Sequence, residues 1–216
     1  MTPERFQKIK DILNKRQPDL TVVLDNVHKP HNLAAIIRSC DAVGICDIHA
    51  ISSHEQKVGV NLKSASGSNH WVNLHISPSI SDVISDLKQN DFTIYAANGS
   101  EKAVDYRKVD YTKPTAIVLG AELDGISKET LDCVDGEIKV SMQGMVESLN
   151  VSVANAVILF EAQRQRILSG LYEKCRIQKD EYEKLLFEFS YQEVAKVYQS
   201  KGEDYPELDT EGRIIF

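Results

Sequence analysis

The chain lacks the glycine turns by which most nucleotide-binding α/β proteins hold phosphate. No two of its eleven glycines are separated by a single residue, so no G-x-G-x-x-G turn exists. Dinucleotide oxidoreductases are excluded on that ground. Neither a G-x-x-x-x-G-K-[ST] loop nor a G-x-S-x-G elbow is present, which removes P-loop NTPases and α/β-hydrolases. Cysteine is scarce. Cys40, Cys46, Cys133 and Cys175 stand far apart with no C-x-x-C pair, a pattern that predicts free thiols in a reducing cytoplasm rather than a disulfide framework or a zinc site. His28 and His31 have no nearby cysteine or carboxylate to complete a ligand set, so no metal is expected. The longest apolar stretch, Val151 to Phe160, carries Ser152 and Asn155 and is about half the length a bilayer requires. No membrane partner is expected, and Met1 to Lys8 show no apolar core of a secretory signal.

What is present suits a globular protein. The 216 residues are 42% hydrophobic and 26% charged, enough to bury a sizeable core. The net charge of −7 argues against a uniformly basic nucleic-acid binder, but its distribution is uneven. Residues 1–20 hold five basic and three acidic groups, whereas residues 201–212 hold one basic and five acidic. A basic face therefore remains compatible with the acidic total.

Strand-length apolar runs alternate with segments of helical period. Strands are expected at Leu20–Leu24, Asp47–Ile51, Val72–Ile76, Phe92–Ala97, Thr115–Leu119 and Glu137–Met142. Helices are expected over Asn32–Val43, with Gly44 closing it, over Ser79–Gln89, and from about Leu149 to Leu168. Further helices fit residues 3–16, 179–189 and 192–199. This alternation predicts an α/β fold with a mostly parallel sheet flanked by helices. Residues from Tyr205 onward read as a loosely held tail.

Three segments carry chemistry. In His28-Lys29-Pro30-His31-Asn32, Pro30 stops a strand and Asn32 is a reasonable helix cap. Arg38 follows nearly two turns later and is expected roughly above Asn32. An amide and a guanidinium so placed suit a phosphate or a ribose, and equally read as a cap and a solvated side chain. In Leu119-Gly120-Ala121-Glu122-Leu123-Asp124-Gly125-Ile126-Ser127, glycine at a strand end permits close ligand approach. Glu122 could bind a ribose hydroxyl or orient a cation, and the segment also reads as an ordinary strand-to-helix loop. In Gly144 to Asn155, Ser148 reads as an N-cap. Asn150 and Ser152 sit where helix propensity disfavours them, which hints at a site.

In this order and spacing, the three segments resemble the three motifs of the SPOUT class of RNA methyltransferases, and within it the TrmH family of tRNA guanosine 2′-O-methyltransferases. The resemblance spans roughly residues 1–175. It implies a deep C-terminal trefoil knot, a homodimer with sites near its interface, S-adenosyl-L-methionine as methyl donor, and tRNA, at guanosine 18 of the D-loop, as substrate. Another tRNA position, ribosomal RNA, or a non-catalytic RNA-binding relative stand as alternatives. DNA is not an expected partner. The implied organisation is an N-terminal extension (1–18), a methyltransferase domain (19–170) and a C-terminal extension with acidic tail (171–216). The implied catalytic group is Arg38, Asn32, Glu122, Ser148 and Asn150. Ala97, Leu119, Gly120, Val140, Met142, Gly144 and Leu149 would hold the donor. Arg5, Lys8, Lys63, Arg164, Arg166, Lys174 and Arg176 would meet RNA phosphate, and each also reads as a solvated surface charge.

Overall fold

All six residues of Leu20–Asp25 (β1) are buried, as a central strand covered on both faces requires. The computed structural model describes residues 1–52 and 71–215. Its chain divides into two compact units, Gln17–Gly170 and the combination of Met1–Arg16 with Leu171–Phe216.

The larger unit is built on a sheet. After β1 come α2 (Pro30–Ala42), β2 (Asp47–Ile51), β3 (Asn73–Ser77), α3 (Ile80–Gln89) and β4 (Thr93–Ala97), following α1 (Pro3–Leu13) of the other unit. Then follow β5 (Val104–Asp105), β6 (Thr115–Gly120), α4 (Lys128–Cys133), β7 (Gly136–Lys139) and α5 (Val151–Leu168). The strand order is β3-β2-β1-β6-β4-β7-β5, and every pairing is parallel. The expected parallel sheet is thus observed. The two-residue edge strand β5 was not expected, because two residues carry no periodicity.

The period of two along each strand sorts the core into two layers. Leu20, Val22 and Leu24 of β1 and Ile117 and Leu119 of β6 face α2 and α5, packing with Leu33, Ile36, Ile37, Ile158 and Leu159. Val23, Ala116 and Val118 face the opposite side, against Ile80, Val83, Ile84 and Leu87 of α3. Ser79 caps α3 by accepting from Asp82 N at 3.2 Å. With all strands parallel, their C-terminal ends share one edge, and the loops leaving β1, β4, β6 and β7 gather there.

Two helix starts differ from expectation. Helix α2 begins at Pro30, with Lys29 as N-cap making no side-chain cap bond. Proline is preorganised for that first position, so the helix starts two residues early and Asn32 is not needed as a cap. Helix α5 begins at Val151 with Asn150, not Ser148, as its cap. The Asn150 carboxamide oxygen accepts from Ser152 N at 2.9 Å and Ser152 Oγ at 2.6 Å.

In the second unit, α6 (Lys179–Ser190) packs on α1 and is followed by α7 (Gln192–Lys201). The tail after it is not loose. Tyr205 stacks on Phe187 with ring centroids 4.6 Å apart and donates to Glu188 at 2.8 Å. Leu208 and Ile214 form an antiparallel bridge, and Asp209 accepts from the Glu211 and Arg213 amides. Tyr191 donates to the Gly212 carbonyl at 2.8 Å. Aromatic packing holds this segment where its acidic composition suggested solvent.

Candidate active site

The loop after β6 turns back on itself. Ala121 and Gly125 exchange both backbone hydrogen bonds, at 3.0 and 2.9 Å. A Cβ on Gly120 would lie 2.3 Å from the Gly125 carbonyl, so a side chain there would burst the turn. The buried Asp25 carboxylate, at the end of β1, accepts from Ser127 N and Thr130 Oγ, both at 2.8 Å. It pins the far end of the turn to β1. Glu122 is thereby fixed over the start of α2.

Lys29 and Asn32 at the start of α2 and Asn150 at the start of α5 meet at Glu122. Its Oε1 accepts from Asn32 Nδ2 at 2.7 Å and from Asn150 Nδ2 at 3.0 Å. Asn150 Nδ2 also reaches Asn32 Oδ1 at 3.1 Å. Lys29 Nζ forms an ion pair with the second carboxylate oxygen. Asn32 is buried at 2% exposure, so its amide is committed to this cluster.

The cluster stands at the lip of a cleft of about 560 Å3. Ala97, Leu119, Gly120, Val140 and Leu149 line it, as do Glu122, Ser148 and Asn150. Ala121, Val151, Ala154 and Ile158 also line it and were not expected, since small and apolar residues carry no site signal in a sequence; Asn98 lines it too, its amide donating to Glu137. Met142 and Gly144 do not line it; Met142 is half-buried and Gly144 exposed. Three carboxylates on the wall, Glu122, Asp124 and Glu147, stand against Lys139 on the wall and Lys29 paired to Glu122. The remaining excess of one negative charge favours a ligand with positive charge.

Residues 19–160 match the SpoU rRNA methylase family, and residues 164–216 match its C-terminal segment. The chain belongs to the SpoU methylase family. A tRNA (guanosine(18)-2′-O)-methyltransferase of Thermus thermophilus is 51% identical over 185 residues, covering 86% of this chain and 95% of that one. The crystal structure of the Aquifex aeolicus TrmH/SpoU tRNA modifying enzyme matches with a TM-score of 0.82 at 39% identity, over 88% of this chain and 97% of its own. The SpoU methyltransferase AviRb of Streptomyces viridochromogenes, solved with AdoMet, matches at a TM-score of 0.63 and 26% identity, over 71% and 59%.

Of the residues expected to act in this SpoU-family site, Asn32, Glu122 and Asn150 are bonded together, and Ser148 joins them on the cleft wall. Arg38 does not join them. Six residues at roughly 100° each carry it about 240° round α2 from Asn32. It is exposed and makes no hydrogen bond or ion pair among the described residues. The expectation that it lies above Asn32 is corrected by that arithmetic.

Arg166 also differs from expectation. It is fully buried, and its guanidinium donates to Gln17, to the Asp19 carboxylate at 2.6 Å, and to the carbonyls of Asp19, Tyr111 and Lys113. No donor remains for an RNA phosphate, so Arg166 is a structural tie between the starts of β1 and β6. Arg164 is exposed and doubly bonded to Glu161. Arg5, Lys8 and Lys174 are exposed in the other unit, and Arg176 there is half-buried. Lys63 lies outside the described residues.

Proposed function

We propose that this chain transfers the methyl group of S-adenosyl-L-methionine to the ribose 2′-hydroxyl of guanosine 18 in the D-loop of tRNA. The observation that carries the reading is the meeting of Asn32 in the first turn of α2, Glu122 in the turn after β6 and Asn150 at the cap of α5, at the lip of the cleft. The named activity of the 51%-identical relative supports the substrate and the position.

The cleft fits the donor. Its volume lies in the range of small-molecule sites, about 300–1,000 Å3. It has no glycine-rich phosphate cradle, as suits a nucleoside that carries no phosphate, and its carboxylates suit a cationic ligand. Leu119, Gly120, Ala97, Val140 and Leu149 would hold the donor, with Met142 and Gly144 on the connecting loop. When bound, the donor supplies a sulfonium methyl group open to attack by an oxygen nucleophile.

The chain's own residues position that attack. Glu122 orients the Asn32 and Asn150 amides, and Asn150 in turn holds the first turn of α5. Such positioning supplies much of the rate in a group transfer. Arg38, cationic and exposed, stabilises the developing alkoxide of the ribose. Arg5, Lys8, Lys174 and Arg176 meet RNA phosphate, and Arg164 of the larger unit is assigned the same role.

The reading extends to the whole protein. Residues 19–170 are the methyltransferase domain, with 1–18 and 171–216 as its extensions. The segment from β7 to α5 returns to the first two loops, and we read that return as the threading of a trefoil knot. The protein acts as a homodimer in the cytoplasm. Supporting the dimer, α5 exposes Val153, Phe160 and Ile167, seven residues apart, while Leu123 and Met145 are almost wholly exposed beside the cleft. No described helix is long and apolar enough to cross a membrane.

The test is to incubate the protein with labelled donor and unmodified tRNA transcripts and to map the product. A 2′-O-methyl group on guanosine 18 is the expected result. Methylation confined to another nucleotide or to ribosomal RNA would replace this substrate assignment.

A further inference from the structure

The site's reading above rests on Glu122 and the two asparagines, yet the carboxylate has a third partner. Lys29 precedes Pro30 and serves as the N-cap position of α2 without a cap bond of its own. Its ammonium is turned to Glu122 Oε2, while both asparagine amides converge on Oε1. We propose that Lys29 is a positioning residue for methyl transfer: by holding Oε2, it fixes the carboxylate in the orientation in which Oε1 receives both amides. This inference rests on the methyltransferase reading.

Geometry explains why such a clamp is needed. A glutamate at the tip of a turn has three side-chain torsions, and two neutral amides on one oxygen leave the other oxygen free to swing. A cation on the second oxygen completes the set with a charge-assisted bond. Proline at the next position fixes φ of the first helical residue and so restricts where the Lys29 stem starts. The bond chain then runs from Lys29 through Glu122 to Asn150 and on to Ser152, joining the three loops to α5. Lys29 is about half exposed, so the pair adds little to overall stability. Its contribution is to the geometry of the site, which is felt in rate: a displacement of ångström size can cost on the order of a hundredfold.

The experiment uses the full-length protein, tRNA transcripts and labelled donor. Four chains are compared with the unaltered one: Lys29→Met, Lys29→Arg, Glu122→Gln and the double Lys29→Met/Glu122→Gln. For Lys29→Met we expect kcat to fall about ten- to a hundredfold, with KM for the donor and the thermal midpoint nearly unchanged. Lys29→Arg should recover most of that loss, because guanidinium also pairs with carboxylate. The double variant should be no slower than Glu122→Gln, since Lys29 acts through that carboxylate. The proposal is overturned if Lys29→Met raises only KM for tRNA, or if its effect multiplies with that of Glu122→Gln; either result makes Lys29 a direct RNA contact. A normal kcat in Lys29→Met overturns it as well. Failure of the unaltered chain to methylate any RNA would instead remove the methyltransferase reading itself.

Discussion

Asn150 does two jobs with one side chain. Its oxygen caps α5 and its nitrogen donates to Glu122 and Asn32. Asn150→Asp separates them, because aspartate still caps a helix but offers no donor and sets a second carboxylate against Glu122. We expect transfer to drop about a hundredfold with the thermal midpoint shifted by only a few degrees. A broad loss of folding would make the residue structural instead. Arg166 presents the opposite case. Deleting its buried guanidinium takes a charged donor from the Asp19 carboxylate and a donor from each of three carbonyls, so Arg166→Ala should cost about 3–5 kcal/mol in urea unfolding. A stable variant with weakened RNA binding would restore Arg166 to the RNA surface. From the sequence the two arginines Arg164 and Arg166 look alike. Only the return of residues 17–19 and 111–113, distant along the chain, buries one of them.

The elements that could be read in advance are those whose pattern is strong over several residues. β1 and β6 are continuous apolar runs, and α3 has apolar residues at helical spacing behind a serine cap. Element ends were harder, because a proline at the first helical position outweighs an asparagine two residues later. That small shift decides the site, since it frees Asn32 from capping. Packing between strands adds a feature that no single strand shows. His49 of β2 and His75 of β3 are register partners, and their rings stack 5.3 Å apart. Burial first, and the neighbouring His75 second, hold the His49 imidazole below its ordinary value, while Asp47 and Asp86 act in the opposite sense. The unfolded chain thus takes up a proton that the folded chain resists. Stability is full above about pH 6.5 and falls as the pH drops below it. His49→Leu should flatten that fall when urea midpoints are followed from about pH 7.5 to about pH 5. An unchanged slope would locate the acid sensitivity elsewhere.

At the scale of the whole molecule, a parallel sheet brings the ends of several strands to one edge, and the three motif loops converge there. In the sequence the first two segments read equally as an ordinary cap or loop, and only the order and spacing of all three, through the resemblance to the TrmH family, pointed to one site. The Lys29 contact was not legible, because a lysine before a proline looks like any surface charge until the Glu122 turn is placed over it. The tail was misjudged for a related reason: its acidic residues suggest solvent, and the stacking of Tyr205 on Phe187 depends on a helix some twenty residues earlier. The 51%-identical relative is named for guanosine 18 of tRNA, and the proposed function takes the assembled site to that substrate. The most direct measurement is single-turnover transfer from labelled donor to two tRNA transcripts, one unmodified and one carrying 2′-deoxyguanosine at position 18. The account predicts one methyl group on the ribose of guanosine 18 in the first and none in the second; equal labelling of both would contradict it.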